Sequence, residues 1–170
     1  SASSVSSAVF GGLAVSVWGD PRVTRDADLK VLLTREDAAR LLEILPTDLA
    51  SIHDDPLRAL EQNGLLFVRD SQGTRLDLQL SDTFFDETCI HRAVPVEMLP
   101  GIDVQTCTAE DLVIYKLLST RPRDHEDASG IVRRQGDALD DFYLVAWLRQ
   151  FEEALDDSTL VETYSELRRS

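Results

Sequence analysis

Cysteine, histidine and long apolar runs are all scarce in this chain of 170 residues. The two cysteines, Cys89 and Cys107, lack metal-ligand spacing, so we expect reduced core residues rather than a disulfide. The three histidines are too widely scattered to suggest a ligand set. No apolar run approaches the length that crosses a bilayer, and no charged-then-apolar leader opens the sequence. We therefore expect a cytoplasmic protein without a membrane partner.

Positive charge is also in short supply. The chain has 17 Lys and Arg against 31 Asp and Glu, which gives a net charge of −14. Nucleic acids are held largely by cations that neutralise phosphates, so binding RNA or DNA would require a local basic patch. The candidates for such a patch are Arg22, Arg25, Lys30, Arg121, Arg123, Arg133 and Arg134. The remaining acidity is typical of a solvated surface that keeps a protein soluble.

The most informative stretch covers residues 11–31, GGLAVSVWGDPRVTRDADLKV. Its last part predicts a strand, and because strand side chains alternate, Asp26 and Asp28 share one face. Two neighbouring carboxylates repel each other unless a cation lies between them, and Mg²⁺ prefers such oxygen ligands. The adjacent Gly11 and Gly12 have no Cβ, so their backbone can approach a phosphate closely. The alternative is a glycine turn followed by an edge strand with a solvated acidic face.

A second acidic position lies in a predicted hairpin over residues 65–80. In its second arm Arg75, Asp77 and Gln79 alternate with leucines, so they form the polar face of the strand. From this pattern alone, Asp77 is an outward-facing residue on the polar face of a strand whose other face enters the core.

A third motif joins a lysine helix to an acidic pair. The predicted helix AEDLVIYKLLS places Lys116 inside an apolar run, where the ammonium must reach water or meet an anion. The segment RPRDHEDA follows, and its Asp124 and Asp127 lie three residues apart, on one helical face. Asp124 either interacts with a neighbouring cation or caps the helix.

These motifs resemble the nucleotidyltransferase fold of the DNA polymerase β type. The stretch GGLAVSVWGDPRVTRDADL looks most like the AbiEii/MenT-like branch, the nucleotidyltransferase toxins of bacterial toxin–antitoxin and phage-defence systems. The run KLLSTRPRDHED is similar to the second signature of that family. The resemblance implies an α/β fold: a small mixed sheet with helices packed on it and a C-terminal helical segment. It implies a nucleotidyltransferase core at 1–107 and the helical segment at 108–170, together forming one compact unit.

The resemblance also implies an enzyme that moves a nucleoside monophosphate from an NTP to an acceptor hydroxyl and releases pyrophosphate. Asp26, Asp28 and Asp77 would hold two Mg²⁺ ions, and Gly11 and Gly12 would bind the NTP phosphates. The resemblance further implies that Lys116 binds the triphosphate with help from Arg121, and that Asp124 orients Lys116 or an arginine.

The implied acceptor is a tRNA 3′ end, and the implied protein partner is an antitoxin. Two other functions stay open. One is modification of a small antibiotic-like compound or of a protein side chain, which would tolerate an acidic surface. The other is a catalytically silent module that binds only a nucleotide or a partner.

Overall fold

The structure is a computed structural model, and it describes residues 5–170. The strands are β1 (Ser7–Phe10), β2 (Asp26–Val31), β3 (Ala50–Ser51), β4 (Leu65–Arg69), β5 (Arg75–Leu80), β6 (Val94–Leu99) and β7 (Ile102–Thr106). The helices are α1 (Gly11–Trp18), α2 (Ala38–Ile44), α3 (Pro56–Asn63), α4 (Phe84–Arg92), α5 (Ala109–Leu118), α6 (Pro122–Gln135), α7 (Asp141–Leu155) and α8 (Leu160–Arg169). Short 3₁₀ turns cover Arg35–Asp37 and Gly136–Ala138.

Seven strands form one mixed sheet in the order β3-β4-β5-β2-β1-β7-β6. Strand β2 pairs with β5 in parallel and with β1 in antiparallel orientation, so it lies in the interior of the sheet. Strands β4 and β5 form the antiparallel hairpin that the alternating pattern of residues 65–80 predicts. The predicted mixed α/β architecture is confirmed.

One face of the sheet packs into an apolar core with α2 and α3. Alternation sends Val31 of β2, Leu66 and Val68 of β4, and Leu78 and Leu80 of β5 into this core. Their burial fixes the register, because a shift of one residue would turn the leucines to solvent and the aspartates inward. The polar face of β2 and β5 is therefore determined by the hydrophobic side.

Local signals place the helix ends. The Asp55 side chain accepts a hydrogen bond from the backbone N–H of Arg58 and caps α3, which ends at Gly64 with φ of 66°. Thr83 and Thr108 cap α4 and α5 in the same way.

The chain forms two compact units. The first contains the described residues up to Leu13 together with Val23–Cys107, and it includes the whole sheet. The second contains Ala14–Arg22 together with Thr108–Ser170. In the second unit α5 contacts α6, α7 and α8. Across residues 5–170, no helix combines the length and the apolar character needed to span a membrane.

Candidate active site

Three aspartates share the polar face of the central strands. Asp28 of β2 is the register partner of Asp77 in the parallel strand β5. Asp26 lies two residues before Asp28 and so points to the same side. Paired residues on neighbouring strands lie about 5 Å apart and project from the same face of a sheet. The carboxylates that the sequence assigns to one site are thus neighbours in the first unit.

Gly11 is in direct contact with this carboxylate group. It follows β1 immediately and has φ of 58°, a conformation that favours glycine. A Cβ on Gly11 would lie 1.8 Å from Oδ2 of Asp28, so the carboxylate fills the space that any other residue would need for its side chain. The backbone at the start of α1 therefore lies against Asp28, and only glycine permits this approach.

Arg75 is a cation that binds one member of the group, Asp77. Its Nε lies 2.5 Å from Oδ1 of Asp77, and its Nη2 lies 3.0 Å from Oδ2, so the guanidinium binds both carboxylate oxygens. The hydrogen bond to Asp77 raises the pKa of Arg75; burial opposes this change, and the charges of Asp77, Asp26 and Asp28 add to it. Arg75 lies two residues before Asp77 on the same strand face, but it belongs to none of the sequence motifs.

The donor set of this face suits a hard divalent cation. Carboxylate oxygens are the ligands that Mg²⁺ prefers. Because Gly11 has no side chain, its backbone lies directly against the carboxylate of Asp28. With Arg75 bound to Asp77, no three Asp, Glu, His or Cys side chains in the described part of the chain are grouped to hold a metal ion. The residues fit the ion in kind, and Asp77 already has a cationic partner.

A cavity of about 220 Å³ opens beside the carboxylates. Asp28 and Asp77 form part of its wall, and two aromatic rings, Phe10 and Phe67, form another part. Its other lining residues are Leu29, Lys30, Leu65 and Gln79. The volume is smaller than the roughly 300–1,000 Å³ of pockets that enclose drug-sized ligands, so it has room for one ring rather than for a whole substrate.

Lys30 does not belong to a basic patch, which corrects one element of the sequence interpretation. Its side chain is buried, and its Nζ lies 2.5 Å from Oδ1 of the buried Asp86 on α4. Thr83 donates a hydrogen bond of 2.9 Å to the other oxygen of Asp86. Because both charges are buried and paired, Lys30 joins α4 to the sheet instead of meeting a phosphate.

The second unit contains the lysine and acidic residues of the third motif. Nζ of Lys116 lies 2.5 Å from Oδ1 of Asp124 and 2.9 Å from Oδ2 of Asp127. Ser119 and Arg121 each donate a hydrogen bond of 2.6 Å to the other oxygen of Asp124. Lys116 is 7% exposed and its ammonium meets two anions, so the side chain does not snorkel to water.

Asp124 does not cap helix α6, because Arg121 is the N-cap and Asp124 lies in the first turn. Burial by itself would raise the pKa of the Asp124 carboxyl. Hydrogen bonds from Lys116 and Ser119, with the charges of Lys116 and Arg121, outweigh burial and hold the pKa below its usual value. Asp124 is therefore a buried anion that its partners keep ionised.

The arginines proposed as a basic patch are largely engaged in contacts inside the second unit. Arg133 forms an ion pair of 2.5 Å with Asp20, and Arg134 donates a hydrogen bond of 2.5 Å to the carbonyl of Gly19. Arg22 donates a hydrogen bond of 3.3 Å to Asp127. Arg121 remains 78% exposed at its side chain while it contacts Asp124. Much of the positive charge is therefore neutralised locally.

The predicted site residues fall into two groups, one in each unit. The first unit holds Gly11, Gly12, Asp26, Asp28 and Asp77, and the second holds Lys116, Arg121 and Asp124. In the first unit the structure brings Gly11, Asp26, Asp28 and Asp77 together, and in the second it brings Lys116 and Arg121 to Asp124. Arg75 and Phe67 were missed because neither has a motif of its own; both are recognised only by their strand partners.

Comparisons with known proteins give a fold without a sequence family. No protein-family model matches the chain, and no curated protein matches it. Among solved structures, it is similar to the antibiotic-resistance factor ANT(2'')-Ia with a TM-score of 0.51 and 13% identity, over 89% of this chain and 86% of the other.

Two looser similarities have lower TM-scores. The lincosamide antibiotic adenylyltransferase LnuA has a TM-score of 0.48 and 12% identity, over 75% of this chain and 85% of that one. A Helicobacter pylori protein named as a candidate nucleotidyltransferase has a TM-score of 0.49 and 15% identity, over 95% of this chain and 83% of that one. The assignment of the fold rests on the first similarity. This chain has the polymerase β-like nucleotidyltransferase fold, as the sequence predicts.

Proposed function

We propose that the protein is a nucleotidyltransferase, which moves a nucleoside monophosphate from an NTP to an acceptor hydroxyl and releases pyrophosphate. One observation carries this proposal. Within a nucleotidyltransferase fold, Asp26, Asp28 and Asp77 share one sheet face, and the Gly11 backbone lies against Asp28. In an ordinary acidic strand the carboxylates are surrounded by water, and close contact between a carboxylate and a glycine backbone is not expected.

The site residues of the first unit would bind the metal ions and the phosphates in this reaction. Asp26, Asp28 and Asp77 would hold two Mg²⁺ ions, which neutralise charge on the phosphates and on the leaving pyrophosphate when bound. The N–H groups of Gly11 and Gly12, at the N-terminus of α1, are suited to binding phosphate oxygens. Asp77 would accept the proton of the attacking hydroxyl, which bonds to the α-phosphorus as the bond to pyrophosphate breaks.

In the second unit, we assign Arg121 and Lys116 to nucleotide binding and Asp124 to positioning them. Of these two cations Arg121 is the better supported, because its side chain is 78% exposed and its Nε lies 2.6 Å from Oδ2 of Asp124. Lys116 is buried between two carboxylates, so a role at the triphosphate would require an anion to compete with Asp124 or Asp127. The proposal for Lys116 rests on the sequence resemblance.

The first candidate acceptor is a tRNA 3′ end, with an antitoxin as partner. It follows from the resemblance of GGLAVSVWGDPRVTRDADL to AbiEii/MenT-like toxins. The second candidate is a small hydroxylated compound. It is supported by the similarity to an antibiotic-resistance factor and by the net charge of −14. It is also supported by the ion pairs that Arg133 forms with Asp20 and that Lys30 forms with Asp86. A surface with few basic side chains disfavours RNA binding, because contacts between cations and phosphates supply most of the affinity of a protein for RNA.

Transfer assays with labelled nucleotides test the proposal. The protein is incubated with Mg²⁺ and each α-labelled NTP, first with total tRNA and then with a panel of hydroxylated antibiotics. We expect label to enter one acceptor pool and pyrophosphate to accumulate. Label in tRNA supports the toxin function, and label in a small compound supports the second candidate. Absence of turnover with every NTP and pool would instead favour a silent binding module.

A further inference from the structure

Arg75 is a cation in direct contact with one of the three aspartates, Asp77. It is the register partner of Asp26 in the parallel pair β2–β5 and lies two residues before Asp77 in β5. Its guanidinium takes both oxygens of Asp77, at 2.5 and 3.0 Å. A bidentate pair of this kind is stronger and more directional than a single contact from lysine. Asp77 cannot offer either oxygen to another cation without weakening this pair.

Phe67 holds the guanidinium from the other side. The Cζ atom of Arg75 lies 4.2 Å from the centre of the Phe67 ring, and Phe67 is the register partner of Asp77 in β4. The Phe67 ring itself stacks on His53 with centroids 5.1 Å apart. The guanidinium is thus located by an aromatic face and a carboxylate together, a geometry that favours arginine.

The charges around Arg75 explain why it lies there. Asp26, Asp28 and Asp77 bring three negative charges to one face, and only an adjacent cation makes such proximity favourable. Arg75 supplies one positive charge to this face through its two contacts with Asp77. One guanidinium carries a single positive charge, whereas the three carboxylates carry three negative charges.

We propose that Arg75 is the counter-ion of the carboxylate group in the metal-free protein, and that a divalent cation must displace its guanidinium from Asp77 in order to bind. This inference rests on the proposed function, because it takes Asp77 as a metal ligand. A divalent cation brings two charges where Arg75 brings one, so the exchange is favourable once the cation is abundant. Arg75 therefore sets the metal concentration at which the site fills.

Mn²⁺ binding to the nucleotide-free protein tests the inference without any turnover. Free Mn²⁺ is measured by electron paramagnetic resonance during titration of the wild type, Arg75→Gln and Arg69→Gln. Arg69 is the matched control, because it is the exposed register partner of Arg75 on β4 and its loss changes the net charge equally. We expect Arg75→Gln to bind Mn²⁺ about tenfold more tightly than the wild type, since one charge contact no longer has to be broken. Arg69→Gln should stay within about twofold of the wild type.

A conservative variant separates charge from geometry. Arg75→Lys keeps the charge but loses the bidentate contact, so its Mn²⁺ affinity should lie between those of the wild type and Arg75→Gln. Thermal melts with and without Mn²⁺ show whether each variant is folded. We expect Arg75→Gln to melt lower than the wild type without metal and to gain more from Mn²⁺.

Equal or weaker Mn²⁺ binding by folded Arg75→Gln and Arg75→Lys would overturn the inference and make Arg75 a fixed support of Asp77. Absence of Mn²⁺ binding in every variant would overturn it as well. Failure of the proposed function is a separate result, because wild-type transfer with Mg²⁺ and NTP is measured on its own. A wild type that transfers nucleotide while the Arg75 variants bind Mn²⁺ no more tightly defeats only the inference about Arg75.

Discussion

Asp28 and Asp77 are register partners in the parallel strand pair β2–β5, although they lie far apart in the sequence. Their pairing places two carboxylates side by side on the face opposite to the apolar core. Asp26 adds a third from the next outward position of β2. The electrostatic cost of this arrangement is met by Arg75 in the structure, and a divalent cation would meet it in the proposed enzyme.

Removal of one carboxylate should stop transfer and leave the fold intact. We expect Asp26→Ala and Asp28→Ala each to lower the rate of labelled-NTP transfer by at least about a hundredfold, comparable with the loss of one transition-state contact. Asp103→Ala, an exposed aspartate on β7, is the matched control and should retain activity. Circular dichroism checks that all three variants are folded. Full activity in either site variant would refute the assignment of that aspartate.

Gly11→Ala should be more damaging than a glycine substitution of similar backbone strain. Gly11 and Gly73 both have positive φ, but a Cβ at Gly73 has nothing within 4 Å. Gly73→Ala should therefore cost only the backbone strain of about 1–2 kcal/mol. Gly11→Ala adds a clash with the Asp28 carboxylate, so it should destabilise more and also abolish transfer. Urea denaturation measures the first effect, and equal losses for the two variants would contradict the close contact.

The buried ion pair of Lys116 should outweigh an exposed pair of equal length. Lys116–Asp124 and Arg133–Asp20 both have N···O distances of 2.5 Å, but the latter side chains are 66% and 68% exposed. We expect Lys116→Met to lower the free energy of unfolding by about 3–5 kcal/mol, because the buried carboxylates of Asp124 and Asp127 lose the buried cation that they share. Arg133→Met should cost about 0–1 kcal/mol. Urea melts at neutral pH compare them, and similar losses would show that burial is not decisive.

The contribution of Asp124 should disappear in acid. Its folded-state pKa lies below the unfolded value of about 3.9, so its ionised form binds its partners more favourably in the native state. The stability it adds is fully present above the unfolded pKa and is lost as pH falls through the folded pKa. The difference in unfolding free energy between wild type and Asp124→Asn should be constant from neutral pH to about pH 5 and shrink below about pH 4. A difference that grows in acid would show the opposite pKa shift.

Local patterns predict much of this fold. Alternation of apolar residues predicts the faces of β2 and β5, because the leucines must enter the core. Asp55, Thr83 and Thr108 mark helix starts through their side-chain oxygens, and Gly64 marks an end through its positive φ. Each of these signals works within a few residues, so it can be recognised without knowing the rest of the chain.

The site depends on contacts that no local pattern contains. Lys30 has the composition of a basic-patch residue, yet it is buried against Asp86 on α4. Arg75 has the pattern of a solvated strand residue, yet it binds Asp77 and stacks on Phe67. Both outcomes depend on which strand or helix lies alongside, and many pairings satisfy the same alternation.

The sequence by itself determined that Asp26 and Asp28 share a strand face, and that Asp77 lies on the polar face of another strand. It also determined that two glycines, Gly11 and Gly12, precede the aspartates. Strand periodicity and backbone freedom depend only on neighbouring residues, so they can be recognised in the sequence. Only the tertiary structure decided that Asp77 lies opposite Asp28, that Gly11 touches that carboxylate and that Arg75 pairs with Asp77. The physical reason is that strand order and register are chosen by burial of the whole apolar face, a property of the complete sheet rather than of any one strand.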